Sequence, residues 1–126
     1  GFDDGIYAAA RLLEILAAAP EGIQSVFDGL PKLVSTPELK IDVEEGMQHA
    51  FIGRFQKEAH FGGARINQID GLRADGKDGW GLVRASNTTP VLVLRFEAEN
   101  PEALSRIQDE FRSQLLALDS GLRLPF

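Results

Sequence analysis

Arg84-Ala85-Ser86-Asn87-Thr88-Thr89-Pro90 is the stretch of this 126-residue sequence whose side chains best fit a definable chemistry. Its arginine offers a planar fork of donors suited to phosphate oxygens, with a charge that does not titrate away. Ser86, Asn87 and Thr88 add side-chain donors on short, stiff stems. Small residues also let the backbone curl so that successive N–H groups converge on an anion. Two readings stand open at this point: a cradle for a terminal phosphate, or a polar hairpin loop whose hydroxyls satisfy its own backbone.

The other motifs dissolve on inspection. Gly71-Leu72-Arg73-Ala74-Asp75-Gly76-Lys77 matches the first seven positions of a nucleotide-binding Walker A loop. The next residue should offer a hydroxyl to magnesium, yet it is Asp78, and the segment reads as a turn between two strands rather than a strand-to-helix loop. His49 and His60 stand eleven apart without an acidic partner at metal-ligand spacing, which points to packing or helix capping. Asp3/Asp4, Glu44/Glu45 and Asp109/Glu110 read as helix starts or solvated faces. Asn87-Thr88-Thr89 satisfies the glycosylation sequon, but no secretion signal accompanies it.

Charge narrows the candidate ligands. The chain holds 13 basic and 19 acidic residues, for a net charge of −6. Residues 65–95 contain Arg65, Arg73, Lys77, Arg84 and Arg95 against Asp70, Asp75 and Asp78, so this stretch is +2 and the remainder −8. One locally cationic segment in an acidic protein favours a small anion over a polyanion, and a nucleic-acid partner is not expected. Cys 0 excludes disulfides, thiolate metal sites and a cysteine nucleophile. No apolar run approaches the ~20 residues of a membrane span, so no membrane partner is expected and the chain is read as cytoplasmic. It opens on Gly1 and is read as a fragment.

These residues need a scaffold, and hydrophobic spacing supplies one. Residues 3–19 read as a helix capped by Asp3 or Asp4, its apolar arc wide enough to expect cover on more than one side. A short helix follows over 23–29, then a proline-punctuated hinge or linker over 32–37. Residues 39–43 alternate as a half-buried strand. Met47, Phe51 and Phe55 recur at four-residue spacing in a helix expected over 44–59. Strands are expected over 66–74, 80–85 and 90–97, with a turn over 75–79. Asn100 caps a last helix whose face is Leu104, Ile107, Phe111, Leu115 and Leu118. The order predicts an α+β domain, an antiparallel sheet packed on two helices.

The phosphate-loop residues, with Gly79-Trp80-Gly81-Leu82-Val83 before them and Val91-Leu92-Val93-Leu94-Arg95-Phe96-Glu97 after, closely resemble the C-terminal domain of the α-D-phosphohexomutases, in particular the bacterial phosphomannomutase/phosphoglucomutase group. The similarity runs back through Ser35-Thr36-Pro37-Glu38 to Phe2-Asp3-Asp4-Gly5-Ile6-Tyr7. It implies that residues 1–31 are the helical tail of the third of four domains, and that 32–126 are domain four, with a fold like that of TATA-box-binding protein. It further implies that Arg84, Ser86, Asn87 and Thr88 hold a substrate phosphate. The family reaction interconverts glucose or mannose 1-phosphate and 6-phosphate through hexose 1,6-bisphosphate, with a phosphoserine donor and Mg2+. The family's serine, metal and sugar loops are all absent here. The resemblance therefore implies no catalytic or metal residue in this chain, no cofactor bound by it, inactivity by itself, and domains 1–3 of the same polypeptide as its partner. A stand-alone, non-enzymatic module binding a phosphorylated metabolite or a protein is the alternative.

Overall fold

A computed structural model describes residues 3–126; Gly1 and Phe2, which belong to the expected tail over 1–31, lie outside the described residues. The chain forms two compact units that divide between Lys32 and Leu33. In the first, α1 (Gly5–Ala18) is capped by Asp4, whose carboxylate accepts the Tyr7 N–H at 2.9 Å. Gly22, at φ 88°, leads into α2 (Ile23–Asp28). The apolar arc of α1 is open among the described residues: Ile6 is 87% exposed, and Leu13 and Ile15 are also exposed.

The second unit carries the sheet. Its strands are β1 (Val34–Ser35), β2 (Leu39–Asp42), β3 (Arg65–Asn67), β4 (Leu72–Asp75), β5 (Gly79–Ala85) and β6 (Val91–Ala98). All pairings are antiparallel in the order β1-β6-β5-β4-β3, with β2 also paired to β6. Helices α3 (Gln48–Glu58) and α4 (Pro101–Leu118) bury their apolar stripes on one face of it. The α+β architecture is the one the sequence order predicts.

Strand alternation sorts the residues. Leu72, Ala74, Val83, Leu92, Leu94 and Phe96 point under the helices and are buried there with Phe55, Phe111 and Leu115. Gly81 sits opposite Phe96, and a side chain there would strike the Phe111 ring, so a glycine lets α4 approach the sheet. Arg73, Asp75, Trp80, Leu82, Arg84, Arg95 and Glu97 alternate with these and occupy the opposite face. The last helix begins as expected: Asn100 Oδ1 accepts the Ala103 N–H at 2.8 Å, and Pro101 fills the first turn.

Three local expectations are corrected. The helix expected over 44–59 starts only at Gln48, because Gly46 at φ 79° turns the chain first, and Met47 is left half exposed. The strand expected over 66–74 is two strands, β3 and β4, which fold back on each other. Asn67 Oδ1 accepts the Ile69 N–H at 2.9 Å, and Gly71 at φ 78° completes that turn. Finally, the expected linker contributes β1, and Thr36 is tied to Phe96 by two hydrogen bonds: its N–H donates to the Phe96 carbonyl, and its hydroxyl accepts the Phe96 N–H.

Candidate functional site

The β5–β6 hairpin pairs Ala85 with Leu92 and closes with the Ser86 N–H donating to the Val91 carbonyl at 3.0 Å. Beyond that bond the chain bends through Asn87, Thr88, Thr89 and Pro90, all exposed. Ser86 organises the bend. Its Oγ accepts the N–H groups of Thr88 and Thr89, each at 3.3 Å, and lies 2.9 Å from Thr89 Oγ1. Among the described residues the Asn87 and Thr88 side chains make no hydrogen bond, so their donors face solvent uncommitted. The self-satisfied loop left open by the sequence is thus part of what is observed, and it belongs to Ser86.

Arg84 leaves β5 two residues before Ser86, on the face opposite the helices, with its side chain 36% exposed. The four residues singled out by sequence are therefore contiguous at one end of the sheet, Arg84 on the strand and the others on the bend. A third element reaches them that the sequence reading missed. The β3–β4 turn lays Gly71 against the Arg84 backbone so closely that a Cβ on Gly71 would fall 2.7 Å from the Arg84 Cα and nearer still to the Val83 carbonyl oxygen. Asp70, in the same turn, sets Oδ2 3.7 Å from Arg84 Nη1. The signal was present in Asn67 and the Asp70-Gly71 dipeptide, which are turn formers inside an otherwise strand-like run.

The turn is anchored from below. Gln56 on α3 donates Nε2 to the Gly71 carbonyl at 2.6 Å, while Gln68 returns Nε2 to the Gln56 carbonyl at 2.8 Å.

Farther along the outer face Arg73 and Asp75 are paired with each other. Arg73 lies 4.0 Å over the Trp80 ring and donates to Asp75 Oδ1 through Nε and Nη2, at 2.9 and 2.7 Å. The Arg73 hydrogen bonds, more than the opposing burial, hold the Asp75 carboxyl below the usual aspartate value, with Arg65 adding to the effect. Asp78, in the turn before β5, is likewise lowered, chiefly by its hydrogen bond from Arg106.

The Walker-like segment is the β4 strand and the turn into β5, closed by the Gly76 N–H on the Gly79 carbonyl at 2.8 Å, and no helix follows it. His49 and His60 are both exposed rather than packed. Among the described residues no group of three or more His, Asp or Glu is placed to hold a metal ion. Grooves of about 610 and 360 Å³ open elsewhere on the domain, and none of Arg84, Ser86, Asn87 or Thr88 lines either. The candidate site is a surface feature, a grip for one end of a ligand. No helix among the described residues is long and apolar enough to cross a membrane.

Residues 38–114 match the family model described as phosphoglucomutase/phosphomannomutase, C-terminal domain. The chain belongs to this family. Its whole length aligns at 55% identity with a phosphomannomutase/phosphoglucomutase of Pseudomonas aeruginosa and at 53% with one of Pseudomonas putida. A phosphoglucomutase of Neisseria meningitidis shares 54% over 115 residues. The crystal structure of a phosphoglucomutase/phosphomannomutase family protein from Burkholderia thailandensis superimposes over the full chain with a TM-score of 0.82 and 50% identity. The chain spans 27% of the length of the Pseudomonas relatives and 26% of the Burkholderia protein.

Proposed function

We propose that this C-terminal domain supplies the phosphate grip of a phosphohexomutase that interconverts glucose or mannose 1-phosphate and 6-phosphate. Arg84, Ser86, Asn87 and Thr88 hold the phosphate that is not being transferred, and because hexose 1,6-bisphosphate presents one at either end, the same grip serves both halves of the reaction. The nucleophile and the sugar contacts belong to the parts of the relatives that this chain does not span. Residues 1–31 are read as the tail of a preceding third domain and 32–126 as domain four, with domains 1–3 as its partner. The described residues do not fit the Mg2+ of the family reaction, and no step of it is assigned to them.

One observation carries the reading: a part-buried arginine on an outward sheet face, next to a bend whose Asn87 and Thr88 donors are uncommitted. A phosphate seated there would take charge-assisted bonds from the guanidinium and neutral ones from the loop. Anchoring the remote end of a sugar phosphate orients the reacting end, which lowers the entropic part of the barrier. Because Val34 to Thr36 are bonded to β6, the point about which domain four would swing to admit and release substrate is the boundary between the two units, at Lys32 and Leu33.

Titrating glucose 1-phosphate into the 15N-labelled chain tests the site. The amide shifts of residues 84–89 should move first, with weak affinity and no turnover. Shifts concentrated in either groove overturn the assignment.

A further inference from the structure

Asp70 has no place in the phosphate grip, yet the fold holds it there. The β3–β4 turn that carries it is fastened to α3 through Gln56 and Gln68 and pressed onto the Arg84 backbone at Gly71. Its carboxylate lies 3.7 Å from the Arg84 guanidinium without a hydrogen bond, and 72% of its side chain is exposed. A contact of that kind does little to orient the arginine. It does put an anion beside the group that must accept an anionic ligand.

We infer that Asp70 is an internal counter-anion: it neutralises Arg84 between ligands and holds down the site's affinity for phosphate. The inference rests on the phosphate role proposed for Arg84. A phosphate on the guanidinium fork would sit about 5–6 Å from the Asp70 carboxylate, where two unit charges in water repel by roughly a fourfold change in affinity, and a dianion by more. A grip weakened in this way releases its ligand faster, and the remote end of a sugar phosphate must be released before the two ends exchange places.

The test is a titration of inorganic phosphate, at constant ionic strength, into the 126-residue chain and its Asp70→Asn, Asp70→Glu and Arg84→Ala variants, read from the amide shifts of residues 86–89. Asp70→Asn should bind phosphate about three- to tenfold more tightly, Asp70→Glu should stay near the parent, and the gain should shrink at high salt because the pair is exposed. In an Arg84→Ala background, Asp70→Asn should lose most of its gain. Unchanged or weaker binding by Asp70→Asn, with Arg84→Ala impaired, overturns the role of Asp70 alone. Undiminished binding by Arg84→Ala, or no response from any variant at tens of millimolar phosphate, overturns the site reading and this inference with it.

Discussion

Replacing Gly71 with alanine tests how far the site depends on the turn behind it. Two costs act there and can be separated. Gly71 has φ 78°, and an L-residue in that region loses roughly 1 kcal/mol relative to glycine. The new methyl would also overlap the Arg84 Cα, the Arg84 Cβ and the Val83 carbonyl, which are strand backbone and its first side-chain carbon, not a flexible tip. Relieving such an overlap by moving the turn or β5 costs typically another 1–3 kcal/mol. Gly63 is the internal control: its φ is 77° and nothing lies within 4 Å of the added methyl, so Gly63→Ala carries the first cost only. The expectation is a loss of about 1 kcal/mol for Gly63→Ala and about 2–4 kcal/mol for Gly71→Ala, measured from urea midpoints at constant m-value. For a unit of this size each kcal/mol corresponds to ~4–8 °C of melting temperature. Gly71→Ala should also shift the amides of residues 83–86. If the two variants were equally stable, the close approach of the turn to Arg84 would be refuted, and with it the placement of Asp70.

Four further outcomes follow from the same geometry. Arg84→Ala should weaken glucose 1-phosphate binding by about 1–3 kcal/mol, the scale of a hydrogen bond to a charged group, in calorimetric or NMR titrations. Asn100→Ala should cost about 1 kcal/mol in denaturant unfolding, because the buried Ala103 N–H loses its acceptor. Phe111→Ala should cost about 3–5 kcal/mol, since that ring is fully buried against Phe61 and Phe96. Asp75 and Asp78 are acidic groups with lowered folded-state pKa values, so the stability they add is present above the unfolded aspartate value and is lost as pH falls through the folded ones. Acid unfolding of Asp75→Asn should accordingly show a shallower loss of stability between about pH 5 and about pH 2 than the parent chain.

Helices α3 and α4 and the β5–β6 hairpin were legible because their patterns are strong. Residues 80–85 and 91–97 have a β texture, the first of them behind a turn-forming stretch, and the four-residue recurrence of Ile107, Phe111 and Leu115 leaves little choice of helix face. What escaped were the places where a single glycine outvotes its neighbours. Gly46 delays a helix expected to open at Glu44, and Gly71 folds an apparent strand of nine residues into a hairpin. The candidate phosphate residues were legible because they are consecutive. Asp70 was not, since its approach to Arg84 depends on a tertiary turn that no local pattern encodes.

The two readings the loop sequence left open describe one arrangement. In the free loop the Ser86 hydroxyl accepts two N–H groups at 3.3 Å, the long end of hydrogen-bonding distance, while a shorter contact joins it to Thr89 Oγ1. Those long bonds satisfy the backbone only weakly, yet they aim the Thr88 and Thr89 N–H groups toward one point. In the proposed role, an incoming phosphate oxygen would offer the same donors a charged acceptor and stronger, shorter bonds. The loop would then need little rearrangement to bind, and ordering it would cost little affinity. Ser86 thus holds the bend before the ligand arrives, Asn87 and Thr88 keep their side chains uncommitted, and Arg84 brings the charge. A Ser86→Ala variant separates these roles: it should raise the mobility of residues 87–89 in the free chain as well as weaken phosphate binding, whereas Thr88→Ala should affect binding alone.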